Sequence, residues 1–421
     1  MPWLMLALSV FLVAWDNAGS LVITNKDDEL NFLSDVKAKL EYKCAHEKIP
    51  EPSAAIDSVF QYARWLQKNN QLKQDKNVIL EVERLYRIAS EHDHYKANIN
   101  LQNGAMRGEY ALRDGEYLRL SQRLIEANVA TGYYFIAILL NQGGAGLKKD
   151  PDTALRYYRK AADEGNAMAQ YYLGRKLEPK GVAPEIAMEM YRCAAEQGHG
   201  KAAVALAISL EMRRSYQEAL KMYQLGVAGG AAVAAYALKE GFNGAVPSDK
   251  VNYLGQSKDL ERVERYKKIE LILSNYSYAN PTVLEIDHIV PLPPAKLPPW
   301  DGKLQWLEAR LANIPPEKPT EALIHNLAKE KILDPATGKP IPGSPAFSQA
   351  DFPIIICASG EPCPESGYWK VMNNSWENHI KRFEKGEIMP TYQMTWSEPR
   401  LWPLRDKIMQ RETRVNWGLL G

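Results

Sequence analysis

The stretch GLKKDPDTALRYYRKAADEGNAMAQYYLG, from Gly146 to Gly174, decides the fold. Ala161 and Ala162 are small enough to let two helices approach closely. Gly165 supplies the left-handed residue needed where a helix ends. Leu173 follows on a second helix, placed to point into a shared core. The unit is therefore a helix, a glycine turn and another helix.

The unit recurs. YRKAADEGNAMAQYYLG (Tyr158 to Gly174) aligns without a gap to YRIASEHDHYKANINLQ, which begins 72 residues earlier at Tyr86. Further copies begin at Tyr191 and Tyr223, at offsets of 33 and 32 residues. A decayed copy lies at Arg123 to Ala137. Ala161, Ala194 and Gly226 correspond, as do Ala162, Ala195 and Val227. Gly165, Gly198 and Gly230 share the turn, and Leu173, Leu206 and Leu238 share the core position. One pair of helices cannot bury its apolar face alone, whereas stacked pairs form a continuous core and a solenoid.

These residues resemble the Sel-like repeat family, relatives of the tetratricopeptide repeats. Gly146, Asp150, Ala154 and the Lys-Ala-Ala-x-x-Gly ending carry the likeness. GVAPEIAMEM and RRSYQEALKM depart from it by shortening the loop between helices. The resemblance covers roughly residues 80–245 and implies a protein-binding scaffold.

The solenoid is expected over 81–279, preceded by a helical cap over 21–80. DDELNFLSDVKAKLEY has Leu30, Leu33, Val36 and Leu40 at helical spacing, and AAIDSVFQYARWLQKN has Ile56, Val59, Phe60, Ala63 and Leu66. Residues 1–20 read as an export segment. WLMLALSVFLVAW, Trp3 to Trp15, is thirteen uncharged residues, too short for a bilayer span of about twenty but fitting a secretory apolar region. Leu12-Val13-Ala14 resembles a bacterial lipobox, with Trp15 where the lipidated cysteine would stand. A periplasmic location follows, with a lipid anchor in a close relative.

Composition shifts after Ala279. The remainder holds 19 of the 26 prolines and 7 of the 10 tryptophans. Proline at this density interrupts long helices, so 280–421 is expected to be a smaller α+β domain. PIIIC (353–357) and YWKVM (368–372) read as strands, and LQWLEARLANI and SWENHIKRFEKGE as short helices. Cys357 and Cys363 flank a turn-forming loop and could close a disulfide ring in an oxidising compartment. Cys193, beside two alanines, reads as a buried small hydrophobe. The fold class is thus mainly α, a solenoid followed by an α+β domain.

Chemistry is sparse. The net charge is +1, from 52 basic and 51 acidic side chains, so no general field gathers nucleic acid. EIDHIVPLPPAKLPPWDG, Glu285 to Gly302, opens like an HNH-type nuclease, with Asn313 and His325 available downstream. Its prolines, however, disrupt the hairpin such a site needs. Asp287 and His288 are instead expected to end a short strand and pin the proline loop. His94-Tyr95-Lys96 and His379-Ile380-Lys381 are halves of a phospholipase D motif whose Asp positions are Leu101 and Gly386. No C-x-x-C, G-x-S-x-G, Walker or dinucleotide motif occurs, and no cofactor, metal site or catalytic set is expected.

Tryptophan remains. Each can be core, but tryptophan also anchors interfaces. Trp300, on a stiff polyproline segment, is the leading anchor, with Trp306, Trp369 and Trp376. The repeat helices are alanine-rich, so the grip on a partner is expected from the C-terminal domain.

The arrangement resembles the Sel-like repeat immunity proteins encoded beside phospholipase effectors of type VI secretion systems. Repeats including YRIASEHDHYKANINLQ, then IVPLPPAKLPPWDG, carry the likeness. It implies a non-enzymatic antitoxin that binds and blocks a lipase toxin in the periplasm. An envelope scaffold with another partner is the second reading, and a degenerate nuclease the third.

Overall fold

A computed structural model describes residues 41–178, 183–348, 356–364, 366–372, 380–398 and 407–419. The proposed helix over Leu30 to Leu40 lies outside these residues, as does the export segment. Consecutive helices pair antiparallel: α1 (Ala54–Asn70), α2 (Lys76–Glu91), α3 (Tyr95–Met106), α4 (Asp114–Glu126), α5 (Thr131–Gln142), α6 (Pro151–Asp163), α7 (Ala167–Leu177), α8 (Pro184–Glu196), α9 (Gly200–Met212), α10 (Tyr216–Ala228), α11 (Ala232–Phe242) and α12 (Leu260–Asn275). The alanines of the repeat, Ala161, Ala162, Ala194 and Ala195, are fully buried, as are Leu206 and Leu238.

The turns follow one rule. Gly165, Gly198 and Gly230 have φ of 102°, 84° and 80°. The two earlier copies place Asp93 (φ 60°) and Asn128 (φ 57°) there, the residues besides glycine that best tolerate a left-handed backbone. The next residue often caps the following helix. His94, Asn166 and His199 each accept from the backbone N–H three residues on, at 3.1, 2.9 and 3.1 Å.

Residues 41–50 form no helix. They run along the repeat turns: Glu47 N–H donates to Gly165 O (3.2 Å), and Gln170 Nε2 donates to Ala45 O (2.9 Å). The Glu47 carboxylate caps α5, accepting from Thr131 N–H at 2.5 Å and its hydroxyl at 2.8 Å. Cys44 is disulfide-bonded to Cys193. Cys193 is buried as expected, but it is half of a cross-link rather than a free hydrophobe. The ring expected from Cys357 and Cys363 is absent. Both are buried thiols, in a core that also holds Trp369, Val371 and Trp417.

The chain beyond residue 279 does not start a separate core. Val283, Ile286, Val290 and Leu304 join the cluster of α10, α11 and α12. Helix α13 (Ile286–Ile289) is one turn, where a strand end was expected. The proline-rich segment that follows offers few N–H groups, and arginines of α12 take up carbonyls in and beside it. Arg262 Nη2 donates to Pro291 O (2.9 Å) and Ala295 O (2.6 Å); Arg265 donates to Ile289 O (2.5 Å) and Pro298 O (2.6 Å). After α14 (Gln305–Ala312), α15 (Glu321–Glu330) reaches the opposite end of the solenoid. There Ile324, Leu327, Ala328 and Leu333 share a core with α1, α2 and α3. Arg84 of α2 donates to Pro335 O (2.6 Å) and pairs with Glu321 (2.8 Å), and His92 bonds Leu327 O (2.8 Å). Residues 281–341 are thus a strap tying the last helices to the first.

The final segment is a small sheet, β1 (Ile356–Ala358), β2 (Gly367–Val371), β3 (Ile380–Phe383) and β6 (Asn416–Leu419), in antiparallel order β1-β6-β2-β3. A separate ribbon pairs β4 (Tyr392–Glu398) with β5 (Lys407–Thr413). The strand expected over 368–372 is β2, and the described end of the one expected over 353–357 belongs to β1, with β6 between them. Of the helix expected over 375–387, residues 375–379 lie outside the described residues, and 380–383 is instead β3, paired with β2, its Phe383 packed edge-on against Trp417 at 5.1 Å. Cross-strand packing overrides the local helical pattern.

Candidate binding groove

Between the first helices and the strap lies a groove of about 1210 Å³. One wall is the polar stripe of α1, with Gln61, Arg64, Trp65 and Lys68 at helical spacing and Gln71 just past its end, continued by Asn100, Asn103 and Arg107 on and just past α3. The facing wall comes from Tyr278 to Asn280 and from Trp306, Arg310 and Ile314 on and beside α14. Amides join the walls. Asn69 and Asn313 donate to one another's side-chain oxygens at 3.2 and 2.7 Å. Arg310 Nη2 donates to Gln71 Oε1 at 3.3 Å. Asn313 ends α14 in the left-handed conformation (φ 43°), so its side chain is directed by the turn itself.

Positive charge in the groove is only partly neutralised. Arg107 pairs with Glu109 at 2.7 Å. Arg64 donates to the neutral Gln67 at 2.6 Å, and the Arg310 guanidinium lies over the rings of Tyr278 and Trp306, at 5.5 and 5.6 Å. No carboxylate of the described residues forms an ion pair with Arg64, Lys68 or Arg310. Burial lowers the Lys68 pKa, and the positive charge of Arg310 lowers it further. The groove therefore offers cations, amides and two aromatic faces to whatever fills it.

Of the four predicted anchors, Trp306 lines the groove, edge-on to Tyr276 at 5.7 Å. Trp300 is half-buried elsewhere. Its Nε1 donates to Lys303 O (2.8 Å), and its ring sits beside Arg265 and Lys268. Trp369 is fully buried in the sheet core and presents nothing to a partner. Trp376 lies outside the described residues. Sequence reasoning missed Arg64, Trp65, Lys68, Tyr278 and Arg310. The signal was a polar, tryptophan-bearing stripe on α1 opposite its apolar face.

The nuclease residues are not assembled. Asp287 accepts from Gln224 of α10 (3.1 Å), His288 is exposed, and Asn313 is paired with Asn69 of α1. His94 is a fully buried cap rather than a phospholipase D nucleophile, and Lys96 pairs at the surface with Glu51 (3.4 Å). His379 lies outside the described residues. The ligand atoms of Cys44, His46 and Cys193 lie within 4.8 Å of one another, but the disulfide occupies both sulfurs. No helix among the described residues is long and apolar enough to cross a membrane.

Residues 130–166 and 167–199 match the Sel1 repeat family. Residues 234–341 match a domain of unknown function, DUF6396. That span unites the last repeat helices with the strap and crosses the boundary expected at 279. The chain is similar to the immunity protein PA5088 from Pseudomonas aeruginosa, at 26% identity over 60% of this chain and 94% of that one, with a TM-score of 0.48. It is also similar to the immunity protein Pa5087 from the same organism, at 24% identity over 60% and 95%, TM-score 0.46. A Sel1 repeat protein from Oxalobacter formigenes matches at 19% identity over 52% and 87%, TM-score 0.38. No curated protein matches the chain.

Proposed function

We propose that this protein is an immunity protein: it binds a lipase toxin delivered by type VI secretion and blocks it in the periplasm, without chemistry of its own. The observation that carries the reading is the groove. A Sel1-repeat solenoid is closed by a strap, and three cations in the enclosed surface have no carboxylate counterpart among the described residues. Such a surface suits a folded partner. The sequence resemblance to immunity proteins encoded beside phospholipase effectors supplies the toxin class. The Cys44–Cys193 disulfide supports export, because disulfides persist in oxidising compartments.

The test is survival. Cells producing a periplasmic lipase effector from the same gene neighbourhood should live when this protein is co-produced with its leader and die without it. Death in both cases, with the protein present in the periplasm, would refute the reading. The envelope-scaffold alternative predicts no protection and loss of an envelope phenotype on deletion.

A further inference from the structure

We propose that the groove between α1, α3 and the strap receives an acidic segment of the protein partner, its carboxylates paired by Arg64, Lys68 and Arg310. This rests on the immunity reading and names the chemistry of the contact. Arg64 is exposed on α1, Lys68 lies one turn further along the same stripe, and Arg310 faces them from α14. Burial among like charges works against protonated Lys68. An incoming carboxylate offsets the repulsion between Lys68 and Arg310 and pairs with both cations.

A protein segment fits better than nucleic acid or lipid. The chain as a whole carries a net charge of +1, which gives no extended path for phosphates. The side-chain amides of Gln61, Gln71, Asn100 and Asn103 offer both donors and acceptors to a peptide backbone. Trp306 offers a face for an apolar neighbour of the acidic residues.

The experiment uses the full chain and a fluorescein-labelled peptide of alternating Asp and Gly residues, read by anisotropy. An Asn-Gly peptide, oligo-dT and phosphatidylglycerol vesicles serve as competitors. The acidic peptide should bind saturably and weaken with salt. The double variant Arg64→Gln/Lys68→Gln should bind it at least about tenfold more weakly and still melt cooperatively, because neither charge holds an ion pair within the described fold, although the Arg64 bond to Gln67 is lost. Lys267→Gln, on the outer part of α12, should bind like wild type. Equal binding by the double variant, or more effective competition by oligo-dT or the vesicles than by unlabelled acidic peptide, overturns the proposal. The survival assay separates the two readings. A double variant that protects as fully as wild type sinks the groove and leaves immunity standing. Acidic-peptide binding lost in the double variant, with no protection by wild type, leaves the groove standing and removes immunity.

Discussion

His94, Asn166 and His199 perform one task at equivalent points of three repeats: each accepts from the N–H three residues ahead. For histidine this requires a bare Nδ1, so protonation at that nitrogen destroys the cap. Burial lowers the pKa of both histidines, and it is the larger influence in each. A base whose folded pKa lies below its unfolded value gives stability that is present above about pH 6.5 and lost as pH falls through the folded pKa. His199→Asn should therefore keep the melting temperature near wild type at neutral pH and flatten its decline on acidification. His199→Ala should cost about 1 kcal/mol at neutral pH. Thermal melts at several pH values check both. An Asn variant as acid-sensitive as wild type would show that other groups set the response. The tolerance of Asn at this position was legible in the alignment, where Asn166 already stands. The capping geometry was not, because spacing alone does not show which atom accepts.

At the scale of elements, the repeats were readable and the strap was not. Ala161, Gly165 and Leu173 recur at fixed offsets, and each takes the place that recurrence implies. The strap has no period. Its course depends on arginines of α12 meeting proline carbonyls, and on α15 finding α2, contacts between residues far apart in sequence. The same holds for β3, whose local pattern is helical and whose partner is β2. Gly230 records where the strap begins. Its φ is 80°, and a Cβ there would lie 1.9 Å from Pro281 O. Gly230→Ala should cost several kcal/mol, whereas Gly198→Ala, with φ 84° and open space around it, should cost about 1 kcal/mol for backbone strain alone. Denaturant melts of the two variants compare them directly, and equal losses would mean that Pro281 moves aside freely. The disulfide also escaped sequence reasoning. Cys44 and Cys193 stand 149 positions apart, while Cys357 and Cys363 are near neighbours with the look of a ring. Closing so long a loop stabilises by about 5 kcal/mol in the chain-entropy account. Cys44→Ser should thus lower the melting temperature under oxidising conditions and leave it unchanged relative to reduced wild type. No difference between oxidised wild type and variant would show that residues 41–50 stay docked without the bond.

The whole molecule joins a solenoid, which its sequence announces, to a closure that its sequence hides. The candidate site lies where the two meet, and this is why composition alone does not find it. Tryptophan density pointed to the C-terminal segment, yet Trp369 and Trp417 lie in the core of its sheet, and among the described members of the predicted set only Trp306 lines the groove. Arg64 and Lys68 sit in a helix that reads as a cap. Hydrogen exchange of the protein, alone and bound to the proposed lipase toxin, tests the central claim most directly. Protection should rise in 61–71, 100–107, 276–280 and 305–316, the segments that frame the groove. Protection confined to the strands of 356–419, with the groove exchanging as in the free protein, would contradict the account.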